Sequence, residues 1–255
     1  MLFFSALLLA LNTVCAGSGW AQAAQSYELP AQPVDVAISN NGVVVSTLKD
    51  TAAVWIRAAD GSQRTATYGG DAADVVITED GSKAYEICRT SPSFYVLEVP
   101  TNQASVRSYD GNLAALALSR SEQWVVVGLG DGKVIVTKPP LLEDFASPTL
   151  NGVARSLVVS QNAKHVFVAT AAALECLLKV NLATGAVVRG AHITGGITNL
   201  AISPSGRLLY AVNSSQRTDG SYRHSICTFK AATLARRSRR VFRTNSVLPL
   251  CLMWL

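Results

Sequence analysis

The sequence predicts an all-β protein, a β-propeller of four-stranded blades with about five blades present. Three observations carry this: a repeat of near-constant length, four short strands in each repeat, and inner strands that are apolar at consecutive positions. The repeat is anchored on a hydroxyl that closes an apolar run, at Ser39, Thr78, Ser119, Ser160 and Ser203, in steps of 39, 41, 41 and 43 residues. A period of about 40 residues is the length of one four-stranded propeller blade.

Each element follows in order. The first strand of each repeat is an apolar run, such as Val34-Asp35-Val36-Ala37-Ile38 or Thr198-Asn199-Leu200-Ala201-Ile202. Such runs suit strands covered on both faces, as when a blade packs between two neighbours. After each hydroxyl comes a turn: Asn40-Asn41-Gly42, Glu79-Asp80-Gly81, Arg120-Ser121-Glu122, Gln161-Asn162-Ala163 and Pro204-Ser205-Gly206. Hydroxyl side chains bond turn backbone, and glycine accepts positive φ. Second strands are predicted over 43–46, 84–88, 124–128, 165–169 and 208–212, and third strands over 53–56, 94–99, 134–137, 174–180 and 226–229. The fourth strands, such as 64–68 and 186–189, are more polar. Ala37, Ala117 and Ala201 recur at one position and leave room for sheets to approach closely. No amphipathic helix of adequate length stands between the strands, which excludes a parallel α/β fold.

The segment Ser203-Pro204-Ser205-Gly206-Arg207-Leu208-Leu209-Tyr210-Ala211-Val212-Asn213 resembles the S-P-D-G-K-x-x-Y-V-x-N core of YVTN-type propeller repeats. Leu178 to Val188 resembles that family's third strand and turn. The resemblance covers about 34–235, is weakest near Pro139 to Pro148, and lacks the W-D signature of WD repeats. It implies a fold superfamily that includes surface-layer proteins, quinoprotein dehydrogenase subunits, lactonases and proteins of no known role. Two features depart from that family. Its propellers usually have seven blades, and the pattern is lost from Arg236 onward. A truncated or frame-shifted chain accounts for both, and a five-bladed ring also remains open. An incomplete ring would leave blade edges and faces bare, and self-association is then expected.

Four divisions result: a signal peptide over 1–23, a linker over 24–33, propeller repeats over 34–235, and an atypical basic and apolar tail over 236–255. The run Leu2 to Leu11 has the length of a signal h-region, and Ala21-Gln22-Ala23 is an A-x-A cleavage pattern. No Lys or Arg precedes the run, which departs from the usual pattern. A periplasmic or extracellular location is expected, with no membrane span after cleavage. Export permits disulfides, but the spacings of Cys88, Cys176, Cys227 and Cys251 choose no pairing, and free buried thiols fit equally.

The formal charge is +5, from 22 Lys and Arg against 17 Asp and Glu. Arg236, Arg237, Arg239, Arg240 and Arg243 account for all of it, so the body offers no broad phosphate-binding face and nucleic acid is not an expected partner. No G-x-S-x-G elbow or H-E-x-x-H is present, and His165, His192 and His224 occupy unrelated repeat positions. Gly128-Leu129-Gly130-Asp131-Gly132 has no following helix or Lys and reads as a hairpin turn.

Propellers bind ligands where the innermost strands enter the central channel. Four residues before each hydroxyl stand Asp35, Asp74, Ala115, Ser156 and Asn199. The polar members, Asp35, Asp74, Ser156 and Asn199, form the candidate ligand site at the channel mouth. The competing reading has them capping strand ends and satisfying backbone groups. A cation on Asp35 and Asp74 is chemically reasonable, but two carboxylates specify no metal or cofactor. The functional expectation is a non-catalytic exported scaffold that binds a protein or small ligand. The alternative is a propeller enzyme or enzyme subunit, lactonase-like or part of a quinoprotein dehydrogenase.

Overall fold

The computed structural model describes residues 7–9, 25–88, 90–139, 143–172, 176–193, 196–216 and 221–244. Five antiparallel sheets of four strands follow one another along the chain, each a simple meander. Sheet 1 is β3 (Pro33–Ile38), β4 (Val44–Leu48), β5 (Ala53–Arg57) and β6 (Gln63–Thr67). Sheet 2 is β7 (Ala72–Ile77), β8 (Lys83–Cys88), β9 (Ser93–Glu98) and β10 (Gln103–Ser108). Sheet 3 is β11 (Leu113–Leu118), β12 (Val125–Leu129), β13 (Val134–Lys138) and β14 (Glu143–Ala146). Sheet 4 is β15 (Ala154–Val159), β16 (His165–Thr170), β17 (Leu177–Asn181) and β18 (Val187–Ala191). Sheet 5 is β19 (Asn199–Ile202), β20 (Leu208–Gln216), β21 (Tyr222–Lys230) and β22 (Arg236–Thr244). A short pair, β1 (Leu7–Leu9) with β2 (Gln25–Tyr27), precedes them.

The repeat hydroxyl has one job, performed five times. Val43 N–H donates to Ser39 Oγ at 2.9 Å, and Lys83, Trp124, His165 and Leu208 N–H donate to Thr78, Ser119, Ser160 and Ser203, each at 3.0 Å. The hydroxyl thus closes the hairpin between the first and second strands. Three residues past it the backbone is left-handed in every repeat, at Gly42, Gly81, Glu122, Ala163 and Gly206. Three repeats meet that demand with glycine. Two do not, at a cost of about 1 kcal/mol each.

Four apolar cores lie between successive sheets. Val45, Ile56 and Leu97 help fill the first seam, Ile87, Phe94 and Val127 the second, Val126, Val166 and Val168 the third, and Leu177, Leu209 and Phe229 the fourth. The inner strands pack in sequence order, β3 on β7, β7 on β11, β11 on β15 and β15 on β19, and the sheets do not close into a ring. The outer face of sheet 1 is covered by the N-terminal segment, with Tyr27 and Leu29 packed on Val44, Leu48 and Trp55.

The inner and middle strands lie where the sequence placed them, to within a few residues. Sheet 5 differs. The arginine-rich segment expected to form a tail beyond 235 is instead the outermost strand β22, paired along β21 from Phe229–Arg236 to Tyr222–Thr244. The backbone of β21 needs a ladder partner on that side whatever side chains the partner carries. Arginine stems lie along a sheet while their charged heads stay in water. Residues 245–255, like Cys15 and Cys251, fall outside the described residues. Cys88, Cys176 and Cys227 are buried free thiols.

Candidate functional site

Asp35, Asp74 and Ser156 sit just past a β-bulge in the first strand of their sheets, where the register shifts between Pro33 and Asp35, Ala72 and Asp74, and Ala154 and Ser156. A bulge breaks the ladder locally and re-aims the side chain that follows. Here the side chain is aimed at the next sheet. Asp35 Oδ2 accepts the Val75 N–H at 2.9 Å, and Asp74 Oδ2 accepts the Leu116 N–H at 2.9 Å. Ser156 Oγ accepts the Leu200 N–H at 3.0 Å and stands 3.2 Å from Asn199 Oδ1, to which it donates. The acceptor in one sheet thus meets the N–H just after the equivalent position in the next. These are inter-sheet clasps, each worth about 1 kcal/mol net.

The clasps occupy the polar groups expected at the channel mouth. The structure brings Asp35 to Asp74, and Ser156 to Asn199, as two separate pairs. Burial, and then the negative charge of Asp35, holds the Asp74 carboxyl well above the usual carboxylate range. Between the pairs stands Ala115, which has no side-chain acceptor. There sheets 3 and 4 meet through small residues, and a β-carbon on Gly128 would lie 2.6 Å from that of Ala154. Among the described residues no group of three or more His, Cys, Asp or Glu is arranged so that it could hold a metal ion.

A second polar cluster, not among the residues expected from the sequence, lies deep between sheets 1 and 2. Glu86, on β8, is 0% exposed, and neither carboxylate oxygen has a hydrogen-bond partner. The buried Tyr68 hydroxyl faces it and has no other partner. Cys88 and Tyr95 complete the surroundings. Burial pushes Glu86 up to about 7, with the Tyr68 hydroxyl pulling the other way. The repeat alignment held the signal: Val75 pairs with Glu86 where Leu116 pairs with Val127, Leu157 with Val168, and Leu200 with Ala211. In sheet 1 Val36 pairs with Ser46, so Glu86 is the one carboxylate in the column.

No protein-family model and no curated protein sequence matches the chain. Solved structures do match. Hydrazine synthase of Kuenenia stuttgartiensis has a TM-score of 0.69 at 16% identity, over 86% of this chain and 66% of that one. A chain of the mitotic checkpoint complex has a TM-score of 0.67 at 14% identity, over 80% of this chain and 64% of that one. The fold is a β-propeller. At such identities the likeness carries the fold alone. The chain spans slightly less than two thirds of either neighbour's length.

Two surfaces of this open propeller lie outside its seams. At sheet 1, an open cleft of about 400 Å³ is lined by Glu28, Leu29, Pro30, Trp55, Gln63, Arg64 and Thr65. At sheet 5, Tyr210, Val212, Ile226 and Thr228 alternate with the residues packed on sheet 4 and are half-buried on the opposite face. The neighbouring edge strand β22 exposes Arg236, Arg237, Arg239 and Arg240, and none of the five ion pairs among the described residues involves them. Among the described residues no helix is long and apolar enough to cross a membrane.

Proposed function

We propose that the chain is an exported, non-catalytic propeller of the YVTN-repeat type that holds a protein partner at its fifth sheet. The carrying observation is β22, an edge strand of nine residues with exposed arginines. An edge strand offers unpaired backbone groups that an added strand can take up. Like charge repels a second basic edge, so the arginines favour an acidic extended segment. The mitotic checkpoint neighbour, a chain from a protein complex, fits a scaffold role. Export draws on the apolar run from Leu2 and on Ala21-Gln22-Ala23.

The test is fluorescence anisotropy of a labelled oligo-glutamate peptide with the full chain. Binding that weakens as salt rises, and that Arg239→Glu with Arg240→Glu abolishes, supports the reading. Equal binding by wild type and the double variant sinks it. The enzyme-subunit reading draws on the fold likeness to hydrazine synthase, and a fold carries no chemistry by itself.

A further inference from the structure

Sheets 1 and 2 meet around a carboxyl group that has no counterpart at the corresponding position in sheets 3 to 5. Glu86 is enclosed on its own sheet by Cys88 and Tyr95, and Tyr68 faces it from the end of sheet 1. Away from the channel end the seam is filled by apolar side chains, with Val45, Val54, Ala66, Val75, Ala84 and Leu97 buried in it. No Lys or Arg bears on the charge of Glu86. An ionised carboxylate in such a place has lost its water and gained no counter-charge, with the Tyr68 hydroxyl the one group that favours its charged form, which is among the costliest arrangements in a protein interior. A protonated carboxyl is far cheaper to bury there.

We infer that Glu86 is a proton-binding switch: its protonated carboxyl keeps sheet 1, with the N-terminal segment packed on it, docked against sheet 2, and ionisation loosens the seam. The proton passes to and from solvent water when the seam opens. The groups in contact with Glu86 are pushed away from its window, and Asp74, which is raised at the channel end of the seam, is separated by substitution. Burial pushes Tyr68, Tyr95 and Cys88 upward from ordinary values of 10.0, 10.0 and 9.0. Asp71 bears on Cys88 from the edge of the cluster, and the Asp35–Asp74 pair lies at the channel end of the same seam.

The direction follows from linkage. Glu86 is raised from an ordinary 4.5 to about 7 in the folded chain. Its favourable contribution is complete below 4.5 and is lost as pH rises through 7, because the unfolded chain releases the proton first. The full chain is unfolded in urea between pH 4.5 and 8.5, as wild type, Glu86→Gln and Glu86→Val, each also in an Asp74→Asn background to separate the carboxyl pair. Wild type is expected to lose midpoint steadily to about pH 7. Gln removes that decline, and Val, the residue at the matching position of sheets 3 and 4, gives the highest midpoint at pH 8. Hydrogen exchange, corrected for intrinsic rates, is expected to quicken in β3–β6 at pH 8 relative to β15–β18 in wild type only. Superimposable midpoint curves for wild type and both variants overturn the inference, as does a loss of protection spread evenly over all five sheets.

Discussion

The seam between sheets 1 and 2 and the seam between sheets 3 and 4 solve one problem with opposite chemistry. In the first, Asp35 clasps the Val75 backbone and Glu86 is buried without a partner. In the second, Ala115 offers no acceptor, Gly128 and Ala154 bring the sheets into contact, and Val126, Val166 and Val168 fill the gap. The difference teaches that a seam can be closed by backbone clasps, beside which a stranded carboxyl is carried, or by close apolar packing alone. The first seam is therefore sensitive to protons, and the second is not.

The sharpest way to break this contrast is to move the carboxylate. Val168→Glu places in the apolar seam the side chain that Glu86 places in the polar one. It should cost at least about 4 kcal/mol at pH 7, since buried unpaired charge belongs to the most damaging class of substitution. Urea unfolding measures it, and a loss below about 1 kcal/mol would mean the two seams are equivalent. Next comes Asp35→Ala, which leaves the Val75 N–H without its acceptor and should cost about 1–3 kcal/mol. Ser156→Ala at the Leu200 N–H should fall in the same range, whereas Ala115→Gly should not show a clasp loss.

A subtler probe is Asp74→Asn. The amide oxygen can still accept the Leu116 N–H, while the charge opposed by Asp35 is gone. Because the Asp74 carboxyl is raised in the folded chain, its favourable contribution is present in acid and lost as pH rises. The variant should thus match wild type near pH 4 and exceed it near pH 7, in thermal melts at both pH values. The smallest effect expected is at Ala163, left-handed at φ 51 where three other repeats have glycine. Ala163→Gly should stabilise by about 1 kcal/mol. Glu122→Gly should gain less, because the Glu122 carboxylate accepts the Glu79 N–H from the neighbouring turn.

The contrast between the seams was only half visible in the sequence. The polar position four residues before each hydroxyl could be read directly, and so could its gap at Ala115. Its use could not, because an aspartate on an apolar strand reads alike whether it faces a ligand or a backbone N–H in the next sheet. Glu86 was visible as a lone charge in a repeat column, but its burial without a counter-charge depends on what the neighbouring sheet, with Tyr68 at its end, brings to it. The arginine run of β22 was misread for a related reason. A highly charged segment has no apolar signature, and only the unpaired edge of β21 makes a strand of it.

The amino-acid order by itself determined the number of sheets, their hairpins and their apolar faces, because strands and turns answer to neighbours a few residues away. The tertiary structure alone decided which polar groups clasp a neighbouring sheet, which carboxyl is stranded, and that the sheets stop short of a ring. Those outcomes depend on groups from different sheets, about 40 residues apart for the clasps, meeting across a seam where the environment of each is set by the other.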